Sequence, residues 1–87
     1  MPRVFIPPLL RSLTGGVDIV EVDAGNVREV IEELENRFPG TRERLCVDGD
    51  LKPGLTVAVN ETVSSRGMIE KTPPDCEVHF LPAIGGG

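Results

Sequence analysis

The side chains able to do chemistry here are few: one imidazole, His79, and two thiols, Cys46 and Cys76. The chain also closes on three glycines, Gly85, Gly86 and Gly87. A single imidazole builds neither a metal cluster nor a general-base network. By strand parity His79 lies opposite Val78 and Phe80, which makes it a sheet-surface residue. Neither thiol has a recognisable base or helix N-terminus beside it to favour the thiolate, so each reads as a small apolar residue. Gly15, Gly16 and Gly49 are turn glycines without the G-x-x-x-x-G-K-S/T spacing that cradles phosphate. These residues point away from an enzyme acting on its own.

The C-terminus is different. Glycine has no Cβ, so a run of it threads a channel that would stop other residues. Pro82 donates no amide and is expected to end strand pairing just ahead of the run. The segment from Pro82 to Gly87 can extend to at most ~20 Å, at ~3.3–3.6 Å per residue. A compact body with such a leash is able to present the Gly87 carboxylate inside a partner's active site. The same residues also allow an inert, frayed end.

Size and charge narrow the field further. At 87 residues the chain fits one small core and excludes large barrels and doubly wound nucleotide-binding sheets. Fourteen acids against nine bases leave a net charge of -5, with no basic cluster to follow a phosphate backbone. Three Phe with no Trp or Tyr supply no stacking platform, so no nucleic-acid partner is expected. No apolar run approaches the ~18 residues of a membrane span. The apolar opening is interrupted by Pro7-Pro8 and carries no cleavage signal, so a cytoplasmic protein with reduced thiols is expected.

The elements that carry this tail are legible in outline. Arg3 to Ile6 is a β-rich run, and Leu9 to Leu13 leads into a Thr14-Gly15-Gly16 turn. Val17 to Val22 reads as a second strand, with Val17 and Ile19 on one face and Val20 and Val22 on the other; either both faces are covered or a bulge intervenes. Val27, Val30, Ile31, Leu34 and Phe38 form one helical stripe. Asn26 is its expected N-cap, Glu29 its capping-box partner, and Pro39-Gly40 its end. On its solvent face Glu33 is spaced to meet Arg37. After an irregular charged stretch, Leu55 to Asn60 alternates as a third strand, Ser64 to Ile69 is a weak strand or turn, and Glu77 to Leu81 is the last strand. A helix after a hairpin, with later strands returning to one sheet, gives a two-layer α+β domain. The predicted architecture is a β-grasp roll, a mixed sheet of four to five strands with one main helix on one face. Residues 1–82 form the domain and residues 83–87 a flexible glycine tail.

This order of elements, the Val57-Ala-Val-Asn60 strand and the closing Phe80-Leu-Pro-Ala-Ile-Gly-Gly-Gly87 resemble the MoaD/ThiS family of ubiquitin-like sulfur carriers. Ile6-Pro-Pro-Leu-Leu-Arg11 and Thr14-Gly-Gly16 are similar to the opening of its CysO-type members, which supply sulfur for cysteine synthesis in actinobacteria. Members often carry Asp-Gly-Asp before the last strand, where this chain has Pro74-Asp75-Cys76. They also usually carry a small non-glycine residue at the position of Gly85.

The resemblance implies that Gly87 is the modified residue. An activating enzyme of the MoeB/ThiF kind uses ATP to adenylate it, and a persulfide or rhodanese-type donor converts it to a thiocarboxylate. The sulfur then passes to an accepting enzyme, either cysteine synthase-like or the large subunit of molybdopterin synthase. The chain itself would bind no cofactor. Leu81, Pro82 and Ile84 are the expected docking residues at the base of the tail. The alternatives are a ubiquitin-like modifier joined through Gly87 to lysines of other proteins, and an interaction domain whose tail is inert.

Overall fold

A computed structural model of the protein describes residues 1–83. The chain order is β1 (Arg3–Phe5), a 3-10 turn (Pro8–Leu10), α1 (Arg11–Thr14), β2 (Ile19–Glu21), α2 (Val27–Arg37) and α3 (Thr41–Leu45). Then follow β3 (Cys46–Val47), β4 (Asp50–Leu51), β5 (Leu55–Val59), β6 (Thr62–Val63), a 3-10 turn (Gly67–Ile69) and β7 (Glu77–Pro82). The main sheet has the order β2-β1-β7-β5-β6. Its central pair, β1 and β7, is parallel, and every other neighbouring pair is antiparallel. A mixed five-stranded sheet with the long helix across one face is the β-grasp roll.

The core forms where α2 meets that face. Val27, Val30, Ile31 and Leu34 from the helix pack against Val4, Val20, Val22, Val57, Val78 and Phe80 from the sheet, all buried. Asn26 caps the helix as its position predicts, its Oδ1 accepting the Glu29 amide at 2.9 Å. Glu29 Oε1 reaches back to the Gly25 amide at 2.7 Å rather than to that of Asn26, so the box closes one residue early. Glu33 and Arg37 form no ion pair among the described residues.

Several expectations need correction. The first strand is Arg3–Phe5, one residue short of Ile6, whose amide still donates to the Asp18 carbonyl at 2.8 Å before the Pro7-Pro8 corner. Leu9 to Leu13 is helical, since Pro8 starts a 3-10 turn that runs on into α1 and buries Leu10. β2 is shorter than Val17–Val22 and buries one face only: Val20 and Val22 are in the core, Val17 and Ile19 in solvent. The stretch after Gly40 is ordered. Glu35 Oε1 and Oε2 accept the Arg42 and Gly40 amides and start α3, and Asp48-Gly49, both at positive φ, turn the β3–β4 hairpin. Of the two readings of Ser64–Ile69, weak strand or turn, the turn holds, ending in the 3-10 turn at Gly67–Ile69. Pairing occurs earlier, at Thr62–Val63, across a two-residue turn in which Asn60 and Glu61 both have positive φ. Cys76, read as a small apolar residue, is 1% exposed and packs into the core just ahead of β7.

Pro82 does not end the pairing. It is the last residue of β7, opposite Leu55, and the next amide, Ala83 N–H, donates to the Gly54 carbonyl at 2.8 Å. A proline removes only its own donor, so the ladder resumes one residue later. The acceptor is fixed by a tight turn in which Leu55 N–H donates to Lys52 O at 3.0 Å across Pro53 and Gly54. Gly54 has φ +86°, the left-handed value that the third residue of a Pro-Gly type II turn requires.

Candidate functional site

The helix covers one face of the sheet and leaves the other to solvent. On that outer face the register aligns Ile19, Phe5, His79, Ala58 and Val63 in one row across all five strands. Phe5 and His79 are half-buried and stack, ring centroids 4.2 Å apart with 15° between their planes. Ala58 is buried between its neighbours, while Ile19 and Val63 at the two edges are exposed. The next row toward the C-terminal end pairs Thr56 with Leu81. Thr56, Val63, Leu81 and Pro82 line a shallow apolar depression of about 370 Å³. On the other side of the stripe Arg3 donates to Glu77 at 3.1 Å and stands opposite Glu21, a charged border.

The expected docking residues Leu81 and Pro82 are therefore on this outer face and exposed, and they sit where β7 hands the chain on. Ile84, Gly85, Gly86 and Gly87 lie outside the described residues. Sequence reasoning missed Phe5, Ile19, Thr56 and Val63 as members of the same patch. The alternation of Val4 and Ile6 around Phe5 is the available signal, since it turns Phe5 away from a core that both neighbours enter. His79 has the expected parity. It is half-buried because Phe5 lies against its ring.

The remaining chemical groups are elsewhere. Burial pushes the Cys46 thiol up despite the nearby Arg42, and burial likewise raises that of Cys76. Both therefore stay protonated at neutral pH and are poor nucleophiles. Cys46 lines a second concavity, of about 340 Å³, on the helix side, floored with Ile31 and Met68. No group of three or more His, Cys, Asp or Glu residues gathers as a metal site among the described residues. No helix there is long and apolar enough to cross a membrane.

Comparison with known proteins agrees with this geometry. The sulfur carrier protein CysO of Mycobacterium tuberculosis is 35% identical over 89 residues, spanning 97% of this chain and 96% of its own. The crystal structure of that organism's CysO superposes with a TM-score of 0.86, at 30% identity over 97% of this chain and 100% of the other. A chain of the Amycolatopsis orientalis BexX/CysO complex superposes with a TM-score of 0.89, at 32% identity and full coverage of both. SAMP1 of Haloferax volcanii shares the fold, with a TM-score of 0.70 at 23% identity over 99% of this chain and 98% of its own. The profile of the ThiS family matches residues 4–87, which takes in both the outer sheet face and the closing glycines, and the chain belongs to that family.

Proposed function

We propose that this chain is a sulfur carrier whose Gly87 carboxylate is adenylated and then converted to a thiocarboxylate that supplies sulfur for cysteine biosynthesis. The observation that carries the reading is the near full-length identity to CysO sulfur carriers, within a family match that reaches Gly87. The chemistry explains why a carrier needs a separate enzyme. A carboxylate repels nucleophiles and has no good leaving group. Joining it to AMP supplies one, and a persulfide or sulfide then attacks the acyl carbon. The protein is a handle for this group, not the catalyst.

The outer sheet face supports the same reading. Activation must occur in an enzyme that accepts the tail while holding the body, and Leu81 and Pro82 lie beside the apolar row, where β7 leads into the tail. An adenylating enzyme of the MoeB/ThiF kind, a persulfide donor and a sulfur-accepting enzyme related to cysteine synthases are the partners this requires. The BexX/CysO complex of Amycolatopsis orientalis supports docking of a chain of this fold on a second protein. Cysteine is favoured over molybdopterin as the destination because the similar full-length relatives are CysO proteins.

Intact-mass spectrometry tests the proposal on protein co-expressed with an adenylating enzyme and a sulfide source. The expected product gains the mass difference between sulfur and oxygen, localised to Gly87. Recovery of the unmodified carboxylate alone, under conditions where that enzyme consumes ATP on this chain, would refute it.

A further inference from the structure

His79 is the chain's only histidine, and it stands on β7, the middle strand of the five. In the outer row it is the one polar side chain, with Phe5 and Ile19 on one side and Ala58 and Val63 on the other. Two residues on along the same strand, Leu81 continues the apolar surface into the depression it shares with Val63. A protein that covers this face therefore covers the half-buried imidazole as well.

Histidine is the side chain that changes charge between about pH 5 and 8. The other ionisable groups of this face lie at its border. Glu77 precedes His79 by two residues on β7, Arg3 stands beside Glu77 on β1, and Glu21 stands beside Arg3 on β2. The Glu77 carboxylate is already engaged by Arg3 at 3.1 Å. On the other side β5 places Thr56 and Ala58 and β6 places Val63, none of them ionisable; beyond β5 come Asn60, whose Oδ1 accepts the Glu77 amide, and Glu61 in the turn to β6. Among the described residues no carboxylate pairs with the imidazole. What does lie against it is the Phe5 ring, at 4.2 Å, within the ~6 Å at which an aromatic face holds a cation. A proton on His79 thus leaves the stack intact and puts a positive charge at the centre of an apolar surface.

We propose that His79 is the specificity-determining residue of the docking face, which accepts a partner while the imidazole is neutral and rejects it once protonated. This rests on the reading that the outer sheet face seats the adenylating enzyme. The occupant it selects is an apolar surface with no carboxylate opposite His79. Charge favours the same occupant, because a chain of net charge -5, with Glu21 unpaired at the border among the described residues, repels acidic partner surfaces. Covering an imidazolium with such a surface strips its water and supplies no counter-charge, which is unfavourable. Binding therefore selects the neutral form. Affinity is full above the imidazole's titration midpoint and is lost as pH falls through it, by about tenfold for each further pH unit, as the competent fraction shrinks.

The test is calorimetric titration of the full chain into the adenylating enzyme between about pH 8 and pH 5.5, for wild type and His79→Gln. The imidazole midpoint is read from NMR of the free wild-type chain, and circular dichroism checks that both proteins are folded at each pH. Dividing wild-type affinity by that of His79→Gln at the same pH cancels the titrations of the enzyme and of every other group on the carrier. The ratio should be constant above the midpoint and fall by about tenfold per pH unit below it. A ratio that stays flat or rises in acid, or an imidazole that does not titrate in this window, overturns the proposal. Failure of the docking reading would appear separately, as wild-type affinity of Leu81→Ala at pH 8.

Discussion

If the outer sheet face seats the body while the tail is activated, its exposed apolar area sets the cost of removing it. Leu81 is 37% exposed, Ile19 48% and Val63 62%. Fully burying such a side chain contributes ~1.5–3 kcal/mol, so the exposed fractions leave about 0.6–1.1 kcal/mol for Leu81 and roughly 1 kcal/mol for each of the others. Leu81→Ala alone should weaken binding to the adenylating enzyme about 3- to 6-fold. The triple alanine variant should lose about 2–3 kcal/mol, roughly 30- to 150-fold, with Ile19 at the opposite edge of the sheet adding independently to Val63 and Leu81, which share one depression. Leu81 and Ile19 are also more than half covered within the folded chain, so their alanine variants should each cost about 1–2 kcal/mol of stability, and binding is compared at a temperature where every variant stays folded. The assay is carrier-dependent pyrophosphate release at varied carrier concentration, with Ile69→Ala as control. Ile69 is as exposed, at 57%, but belongs to the 3-10 turn between β6 and β7 and lies outside the row. A triple variant with the wild-type concentration dependence would refute the assignment of this face, as would an equal loss in Ile69→Ala.

Three further outcomes follow from individual residues. Glu61 holds φ +71° in the two-residue turn between β5 and β6, a conformation costing a non-glycine residue about 1–2 kcal/mol. Glu61→Gly should therefore raise stability in urea titration by about 0.5–1 kcal/mol, after the added unfolded-state entropy of glycine is subtracted; a destabilised variant would contradict this. Glu35 is held below its ordinary value of 4.5 by the Arg42 amide first and the Gly40 amide second. A lowered folded pKa stabilises the protein above the unfolded value and is lost as pH falls from 4.5 through the folded one. The melting temperature of wild type should thus exceed that of Glu35→Gln at neutral pH and converge on it in acid, whereas a gap that is constant with pH would argue against the paired amides as the cause. Gly86→Val should abolish thiocarboxylate formation in the intact-mass assay while leaving the melting temperature unchanged, and a loaded Gly86→Val protein would show that the channel tolerates a side chain.

The long-range outline was legible because it rests on period and parity. The α2 stripe, the Asn26 cap, the burial of Val78 and Phe80 and the outward turn of Leu81 are all decided within a few neighbouring residues. The closing glycines were likewise composition, which no fold alters. The Asp48-Gly49 hairpin was within reach too, since Asp-Gly is a strong two-residue turn signal. The charged residues around it, with only Cys46, Val47 and Leu51 as apolar members, hid its two-residue strands.

What tertiary structure alone decided is which distant residues share a surface. Phe5 and His79 are far apart in sequence and stack only because β1 and β7 pair in parallel at the centre of the sheet. Ile19, Ala58 and Val63 join them through three separate strand registers, none of which a single strand's pattern specifies. The same is true of the tail's anchor. A proline predicts the loss of one donor, but whether the following amide finds a carbonyl depends on Gly54 being held opposite it by its own turn. Local sequence sets how each segment bends and which side it buries. The meeting of segments is set by a shared core that no segment encodes separately.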